Sequence, residues 1–397
     1  MSWGFLDKPD NLPKAIKLLE EATSKDPKFT LAYCLIARAN DDLYHYWIDK
    51  TPERRALADA AVDEALRLEP DSPEAHLAAA YHLYESYRNY ERARVQVELA
   101  QQTLPNSPEA LLLAARVDRR LGRLEESTKA LEKAYSLDPR NPDIVDILGA
   151  NYLLQGRYRE SEQMDTRFFE LEPDDPFRKS RQAWYEYVRT GDATSWRAAL
   201  DQLPSPIKDH GGVASTRFWS ALYARDWAAA KQILDQNSDD DLRIDDPVQM
   251  AIPRGCGEIY LAALQGKHPI MEAGFGTTRD QLAQRVEVHP DDADLLSVLG
   301  LIDAFLGRKQ EAIEEATRAV DQLPISQDAV EGPFILTSLA TVYAWTNEPD
   351  LAFRELAILA ESPGGPFRAL FKADPIWDPI RKDPRFDKLV ARLRQYQ

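Results

Sequence analysis

Prolines recur along the chain at a constant interval, and this interval limits the possible folds more than any other feature of the sequence. An interval of 34 residues separates Pro105 from Pro139, Pro139 from Pro173, and Pro290 from Pro324. A repeat of about 20–50 residues indicates a solenoid, in which each unit packs on its neighbours. The 397 residues are therefore predicted to form one repeat array rather than several unrelated globular domains.

A second regularity precedes these prolines. Small or apolar residues that are four and then three positions apart lie on one face of a helix, and a proline five positions later ends that helix because it lacks an N–H group. Each copy of this pattern therefore predicts a helix followed by a turn. The copies are Ala15, Leu19, Ala22 and Pro27; Ala58, Val62, Ala65 and Pro70; Ala93, Val97, Ala100 and Pro105; Ser127, Leu131, Ala134 and Pro139; and Ala312, Ala316, Ala319 and Pro324.

Each predicted helix has a partner helix within the same period. After the proline, the strings PDSPEA (70–75) and PNSPEA (105–110) place a serine cap and a first-turn proline, which favour the start of a new helix. In mid-period, LGRLEES (121–127) and QGRYRES (155–161) contain a glycine that can end the first helix in the left-handed conformation. The predicted unit is helix, glycine turn, helix, proline turn.

This unit resembles the tetratricopeptide repeat. Leu148, Gly149, Tyr152 and Gly156 fall where that family places its Leu-Gly pair, its tyrosine and its turn residue. The resemblance implies an all-α protein. It further implies an α-α superhelix of about ten helix pairs, degenerate in the middle and ending in a short helical C-terminal cap.

The strength of the pattern predicts four segments. Residues 1–173 form a regular array whose first repeat is truncated, and residues 174–290 form degenerate helical repeats with polar loops, among them NSDDDLRIDDP (237–247). Residues 291–363 return to the repeat, and residues 364–397 form the capping segment. The helix predicted from Arg385 to Gln395 within this segment would seal the apolar end of the array.

The C-terminal segment carries a second resemblance. Its Asp-Pro steps at 374–375, 378–379 and 383–384 are similar to the end of many bacterial multidomain regulators. In those proteins, a helical-repeat array follows a winged-helix DNA-binding, adenylate-cyclase or Ser/Thr-kinase module. The resemblance implies a sensory or interaction array, and it identifies no enzymatic activity.

A catalytic constellation with diagnostic spacing is absent from the sequence, so we expect a protein that is not an enzyme and has no cofactor. There is no G-x-x-x-x-G-K-[ST] phosphate loop, and the Gly-x-Gly strings at 255–257 and 274–276 follow no predicted strand. Cys256 and His268 could be proposed as a nucleophile and its base, but a buried structural cysteine is favoured. The six histidines have no metal-ligand spacing.

Charge and hydropathy exclude other classes of partner. With 49 Lys+Arg against 66 Asp+Glu, the net charge is −17, which disfavours nucleic acid and anionic lipid. No apolar stretch of about eighteen residues predicts a membrane span, and the N-terminus shows no signal-peptide pattern. The expected location is the cytoplasm, or outside it if the chain belongs to a membrane-anchored regulator. The oligomeric state is left open.

The tetratricopeptide resemblance also implies where a partner would bind. In that family, the first helix of each pair lines an inner, concave wall. Arginine forks bind carboxylates, and aromatic residues with arginine are typical of binding hot spots, so a protein or peptide segment, possibly acidic, is the predicted partner. Alternatively, the arginines only neutralise Glu and Asp on adjacent helices. The wall residues implied are Arg38, Tyr81, Tyr84, Arg116, Arg119, Arg120, Trp184 and Tyr187.

Three functional hypotheses follow. The first is a non-enzymatic scaffold that binds a protein segment in its groove as the sensory or regulatory array of a bacterial signalling or transcription regulator. The second is a small-molecule-sensing or hydrolase-like pocket in the irregular region 205–290, where Cys256 and His268 lie. The third is a purely structural spacer.

Overall fold

The computed structural model describes residues 11–46, 48–204, 207, 211–236, 241–244, 250–267 and 275–394. The chain divides into two compact units, Met1–Asp175 and Pro176–Gln397. Both consist mainly of consecutive helices, and the predicted all-α helical-repeat class is confirmed. The residues predicted to remain from a truncated first repeat precede residue 11 and lie outside this description.

Within its described residues, the first unit consists of a single helix followed by pairs of helices. From the second helix onward, each odd-numbered helix packs on the even-numbered helix before it, so α2 pairs with α3 and α8 with α9. The helices are α1 (Asn11–Lys25), α2 (Thr30–His45), α3 (Pro52–Leu68), α4 (Pro73–Glu85), α5 (Tyr90–Thr103), α6 (Pro108–Arg120), α7 (Leu124–Leu137), α8 (Pro142–Leu154) and α9 (Tyr158–Leu171).

The predicted caps set the start of the first helix in successive pairs. The hydroxyl of Ser72 accepts a hydrogen bond from the Ala75 amide at 3.3 Å, and that of Ser107 accepts one from the Ala110 amide at 3.2 Å. In both helices a proline occupies the first turn, where its missing N–H group leaves no bond unmade. The caps fix where each first helix begins, and hence which residues face its neighbours.

The repeated small residues form the contact between helices. Ala65, Ala100 and Ala134 are fully buried, which allows the backbones of paired helices to approach closely. Gly149 takes this role in α8, where an added Cβ would lie 3.1 Å from the Cβ of Met164. Close packing of this kind makes the pair sensitive to an added methyl group.

The turn inside each pair keeps its left-handed conformation even where glycine is absent. Gly122 and Gly156 have φ values of 75° and 72°, as the sequence predicts. At the same place in other repeats, Arg88, Arg225 and Asn347 have φ values of 48°, 57° and 62°. A sequence search for the glycine therefore misses repeats whose turn has the same backbone shape.

The second unit contains further pairs, a short hairpin and the C-terminal segment. Among its described residues, no helix is both long enough and apolar enough to cross a membrane, and the same holds for the first unit. The elements are α10 (Arg178–Thr190), α11 (Thr194–Asp201), α12 (Gly211–Tyr223), α13 (Trp227–Gln236), β1 (Asp241–Ile244), β2 (Met250–Pro253), α14 (Gly255–Leu264), α15 (Phe275–Val288), α16 (Ala293–Phe305), α17 (Lys309–Gln322), α18 (Gly332–Trp345), α19 (Pro349–Glu361), α20 (Arg368–Ala373), a 3₁₀ turn (Pro375–Trp377) and α21 (Pro384–Arg392).

The hairpin is a departure from the sequence prediction, which assigned residues 237–247 to a polar loop. Strands β1 and β2 pair antiparallel, with Leu242 opposite Ile252, and they connect α13 to α14. Leu242 and Ile244 alternate with polar residues, the period-two pattern of a strand. The pattern spans only four residues among aspartates, which is too short to distinguish it from a loop.

Candidate partner-binding site

The candidate site of the first unit lies on its first helices. Helix α2 packs against α4, α4 against α6, and α6 against α8, and together they form what we call the first-helix wall. The wall residues predicted for this unit are Arg38 on α2, Tyr81 and Tyr84 on α4, and Arg116, Arg119 and Arg120 on α6.

Arg38 lies at one side of the wall in an ion pair. Its Nη1 is 2.7 Å from Oε1 of Glu109, and its guanidinium lies 4.8 Å from the ring centroid of Tyr81. The Tyr81 hydroxyl in turn donates to Oδ1 of Asp42 at 2.9 Å. Burial raises the pKa of Asp42 to about 6, against the opposing effects of the Tyr81 hydrogen bond and Arg38. Arg38 and Glu109 keep 47% and 62% of their side-chain surface exposed, so this pair is accessible.

Arg120 and Glu85 form a buried polar group on the same first-helix wall. Arg120 is buried, and its Nε donates to the Tyr84 hydroxyl at 3.1 Å. Glu85 is also buried, and Nδ1 of His45 lies 2.8 Å from its Oε2. Burial alone would raise the pKa of Glu85, but His45, Arg116 and Arg120 outweigh that effect and lower it. Charges on three helices are thus mutually compensated.

Arg116 differs from these neighbours. It makes no hydrogen bond or ion pair with any residue in the described part of the chain. Burial would lower its pKa, but Tyr81, Tyr84, Glu85 and Asp143 act in the opposite direction and raise it. Its guanidinium is therefore charged, partly buried and balanced at a distance by carboxylates, and its donors have no hydrogen-bond partner among the residues that the structure describes.

Trp184 and Tyr187 belong to α10 in the second unit and are described with that unit. The ring of Trp184 meets Tyr185 edge-on at 5.3 Å. Tyr187 is buried and stacks on Trp196, with ring centroids 5.2 Å apart and an interplanar angle of 12°. These contacts place Tyr187 in an aromatic group that the sequence analysis did not identify.

A buried histidine network in the first unit was also missed. Nδ1 of His82 is 2.7 Å from Asp41, and Nε2 is 2.9 Å from Asp59. Ser86 donates to the same Asp41 oxygen at 2.6 Å. Burial would lower the pKa of His82, but the two carboxylates outweigh burial and raise it. These residues lie 23 and 41 positions apart, so no local spacing indicated the network.

A polar surface cavity of 290 Å³ is lined by residues of the irregular region 205–290 of the second hypothesis and by Arg197 and Asp201, which precede that region. It is bordered by two ion pairs, Arg217 with Asp201 at 2.8 Å and Arg197 with Asp226 at 2.7 Å. Cys256 is fully buried and does not line this cavity, and His268 lies outside the described residues. No group of three or more potential metal ligands occurs among the residues described.

Comparisons with known proteins concern the fold. No family model matches the sequence, and no curated protein sequence matches it. Human IFIT1, solved as a dimer with m7Gppp-AAAA, is similar in structure at 16% identity and a TM-score of 0.50, over 79% of this chain and 68% of that one. PilW, a type IV pilus biogenesis factor, is 18% identical with a TM-score of 0.38, over 50% of this chain and 87% of that one. MamA from Desulfovibrio magneticus RS-1 is 20% identical with a TM-score of 0.32, over 41% of this chain and 87% of that one.

Such identities bear on architecture alone. The chain has a helical-repeat fold of the tetratricopeptide type.

Proposed function

We propose that the chain is a non-enzymatic scaffold whose first-helix wall binds a carboxylate-bearing protein segment at Arg116. The observation that carries the proposal is a guanidinium without a hydrogen-bond partner among the described residues, set near two tyrosines, the buried Glu85 and the exposed Asp143. A planar guanidinium forms two parallel hydrogen bonds with a carboxylate. Because these donors have no hydrogen-bond partner among the described residues, a ligand carboxylate can bind them without first breaking an ion pair.

Arg38 offers a second contact for an acidic ligand. Its pair with Glu109 is exposed on both sides, and exposed ion pairs contribute little stability, about 0–1 kcal/mol. A carboxylate of the ligand can therefore replace Glu109 at small cost. Tyr81, which is buried beneath Arg38, holds the guanidinium in position for such a contact.

A protein segment fits this wall better than a nucleic acid does. Asp42, Glu85 and Asp143 surround the arginines and influence their ionisation. These carboxylates would repel a run of phosphates, whereas a single side-chain or terminal carboxylate can contact one guanidinium and avoid them. The net charge of −17 adds to that repulsion.

The charge reversal Arg116→Glu tests the proposal. Binding of fluorescently labelled acidic peptides to the full chain, measured by anisotropy, should weaken at least tenfold. The matched control Arg92→Glu makes the same charge change on an exposed part of α5 and should bind like the wild type. Equal binding by all three proteins, with unchanged circular dichroism, would refute the site. Tight, Arg116-dependent binding of m7Gppp-AAAA, the RNA seen with human IFIT1, would replace the protein segment by RNA.

We further propose that this scaffold has a regulatory role. It depends on the similarity of the C-terminal segment to the ends of bacterial regulators, and on a wall suited to sensing a partner. The test is genetic: an effector module encoded upstream in the same reading frame supports the role. A gene that encodes only this array and has no signalling gene as its neighbour would argue against a regulatory role.

The cavity bordered by Arg217 and Arg197 supports the alternative of a small-molecule sensor. Its cationic groups are paired with Asp201 and Asp226, so a ligand has to replace those carboxylates. A thermal-shift screen of the full chain against anionic metabolites tests this alternative, with Arg217→Gln as the matched variant. A purely structural spacer would respond neither to the metabolites nor to the peptides.

A further inference from the structure

Residues 367–381, which we call the core segment, are a fixed part of the second unit. Phe371, Trp377 and Ile380 are buried, and the ring of Phe371 stacks on that of Phe386 in α21, with centroids 5.3 Å apart. Apolar contacts of this kind hold the core segment in place. Its polar side chains therefore keep constant positions relative to the helices on which it packs.

The core segment extends from the first helix pair of this unit to the last. Near its start, α20 packs on α10, and an added Cβ on Gly191 would lie 2.8 Å from the carbonyl oxygen of Ala369. Farther along, Nε1 of Trp345, at the end of α18, donates to the carbonyl oxygen of Ile376 at 2.9 Å. Asp374 lies between these two contacts, and hence among the first helices of the pairs in between.

Three tyrosine hydroxyls lie close to Asp374. Tyr187 is on α10, Tyr223 ends α12 and Tyr260 is on α14. Burial raises the pKa of each tyrosine, and the nearby Asp374 carboxylate raises it further because it would repel a phenolate. Tyr187 keeps only 3% of its surface exposed, whereas Tyr223, Tyr260 and Asp374 are half-buried. Solvent can therefore reach this group of side chains.

The polar atoms of this group are not paired with one another. Tyr187, Tyr223 and Tyr260 make no hydrogen bond with any residue that the structure describes. Oδ1 of Asp374 accepts a hydrogen bond from the Ile376 amide at 2.9 Å. Buried hydroxyls without a partner are unfavourable, so a molecule with matching hydrogen-bonding groups would stabilise this arrangement.

The two arginines near Asp374 are engaged elsewhere. Arg225 binds both carboxylate oxygens of Asp378, at 2.6 and 2.7 Å. Arg381 donates to Asp378 at 2.7 Å and to the carbonyl oxygens of Lys372 and Asp374, both at 2.5 Å. Burial raises the pKa of the Asp374 carboxyl to about 6 in spite of these two positive charges. At neutral pH the carboxylate is therefore ionised, and neither arginine side chain contacts it.

Aromatic rings complete the site. The rings of Tyr187 and Tyr223 have centroids 6.3 Å apart and an interplanar angle of 25°. The ring of Tyr260 meets Phe305 edge-on, and Phe305 meets Trp345 edge-on, each at 4.8 Å. Aromatic faces attract cations and pack against alkyl groups. An ionised carboxylate beside such rings is the combination that suits an organic cation.

We propose that Asp374 and the three tyrosines bind a small alkylammonium ion. The carboxylate balances its charge, the phenolic oxygens, which can accept as well as donate, take its N–H groups, and the aromatic rings contact its alkyl chain. A neutral ligand would leave the carboxylate without a contacting counter-charge, and an anion would be repelled. The site lies wholly in the second unit, so the outcome at Arg116 in the first unit does not decide it.

Binding of n-butylammonium to the full chain, measured by isothermal titration calorimetry, tests the proposal. The comparison is n-butanol, which has about the same size and shape but no charge. We expect n-butylammonium to bind at least tenfold more tightly than n-butanol. Equal affinities, or no binding of n-butylammonium, would overturn the proposal and would leave water as the occupant of the site.

The variant Asp374→Asn locates the binding. Asparagine keeps an oxygen that can accept from the Ile376 amide and removes only the charge, so n-butylammonium should bind at least tenfold more weakly. Asp387→Asn makes the same change at an exposed position of α21 and should bind like the wild type. Wild-type affinity in Asp374→Asn would refute the site.

A double variant, Tyr223→Phe with Tyr260→Phe, keeps the rings and removes two acceptors, and it tests the site even if Asp374→Asn does not fold. The affinity for n-butylammonium should fall about fivefold or more. Binding of tetramethylammonium, which has no N–H group, should be the same in this variant as in the wild type. An undiminished affinity for n-butylammonium would show that the hydroxyls take no part, and would overturn the proposal.

A pH profile separates the charge of Asp374 from a structural role. Asp374 takes up a proton as the pH falls through about 6, while n-butylammonium stays charged, so affinity should fall between pH 7.5 and pH 5 in the wild type but not in Asp374→Asn. The groups that face Asp374 do not titrate there. Arg225 and Arg381 stay charged and, against the effect of burial, lower the pKa of Asp378, while the pKa values of the three tyrosines are raised. Constant wild-type affinity over this range would exclude Asp374 as the counter-charge.

Discussion

The first helices of the two units carry opposite kinds of surface on the same repeat framework. In the first unit, guanidinium groups lie among carboxylates, and Arg116 has no partner within the described residues. In the second unit, the corresponding face is a row of aromatic rings covered by the chain's own C-terminal segment. The repeat thus determines the backbone and the buried small residues in both units, whereas the side chains on the outward face of the first helices differ between the two units. Three changes test how far the two units are equivalent.

The largest effect is expected where the two helices of a pair pack most tightly. Gly149 and Gly300 occupy the same position in the repeat. At Gly300 an added Cβ meets backbone atoms of Ala312 and Ala316 at 3.0 Å, whereas at Gly149 it meets the Met164 side chain at 3.1 Å. Because three contacts of 3.0–3.1 Å, two of them with backbone atoms, restrict Gly300 whereas a single contact of 3.1 Å restricts Gly149, Gly300→Ala should lower the free energy of unfolding by about 2–3 kcal/mol.

Gly149→Ala is the matched control for this substitution. It should change the free energy of unfolding by less than about 1 kcal/mol, since alanine's higher helix propensity offsets the contact. Urea unfolding monitored by circular dichroism measures both variants. Equal losses of unfolding free energy in the two variants would show that both helix pairs tolerate the added methyl group equally well. That result would contradict the contacts described for the two glycines.

A smaller effect concerns pH. In the second unit, burial and then the nearby Asp303 carboxylate raise the pKa of Glu315 from its ordinary 4.5 to about 8, against the opposing charge of Arg279. The folded state therefore favours the protonated form, and the stability from this group is lost as pH rises from about 4.5 to about 8. Glu315→Gln, which stays neutral, should remove that loss, on the order of 1–2 kcal/mol after solvent screening.

Glu314→Gln provides the control for the pH effect, because Glu314 is the adjacent, exposed carboxylate. Thermal unfolding at pH 5 and pH 8 measures the difference for each variant. If Glu315→Gln and Glu314→Gln have the same pH dependence as the wild type, Glu315 is ionised in the folded protein at pH 8 and below.

The smallest effect is expected at the exposed pair of the first unit. Glu109→Gln removes the internal competitor for Arg38 and should change the free energy of unfolding by less than about 0.5 kcal/mol. It should nevertheless strengthen binding of an acidic peptide about two- to fivefold. This change in binding free energy lies within the range that one exposed ion pair contributes. Glu98→Gln, which breaks the exposed pair with Arg94 on α5, should leave affinity unchanged. Weaker binding by Glu109→Gln would place Glu109 itself in contact with the ligand.

The sequence allowed much of the helical framework to be predicted, because helix boundaries depend on local chemistry. Ser72 and Ser107 cap the helices that the strings PDSPEA and PNSPEA predict. Ala65, Ala100 and Ala134 are buried as their spacing indicates. The left-handed backbone at Arg88, Arg225 and Asn347 was not predicted, because this conformation does not require glycine when the flanking helices hold it in place.

The candidate sites were less predictable because they depend on contacts between distant residues. The family pattern implied the positions of Arg116 and Arg120, but it could not show that Arg120 is bound to Tyr84 while Arg116 has no such bond. Likewise, the Asp-Pro steps indicated short helices at the C-terminus, and nothing in their spacing indicated that Asp378 meets Arg225, 153 residues away. Whether a partner uses the predicted wall stays a prediction.

The left-handed turn at Arg225 has a consequence for how such arrays diversify. A glycine there satisfies the backbone and contributes nothing else. Arginine accepts some conformational strain, of order 1 kcal/mol, and in return carries the side chain that holds Asp378. The bends between helices are thus places where a repeat protein can acquire new chemistry without altering the packing of any helix.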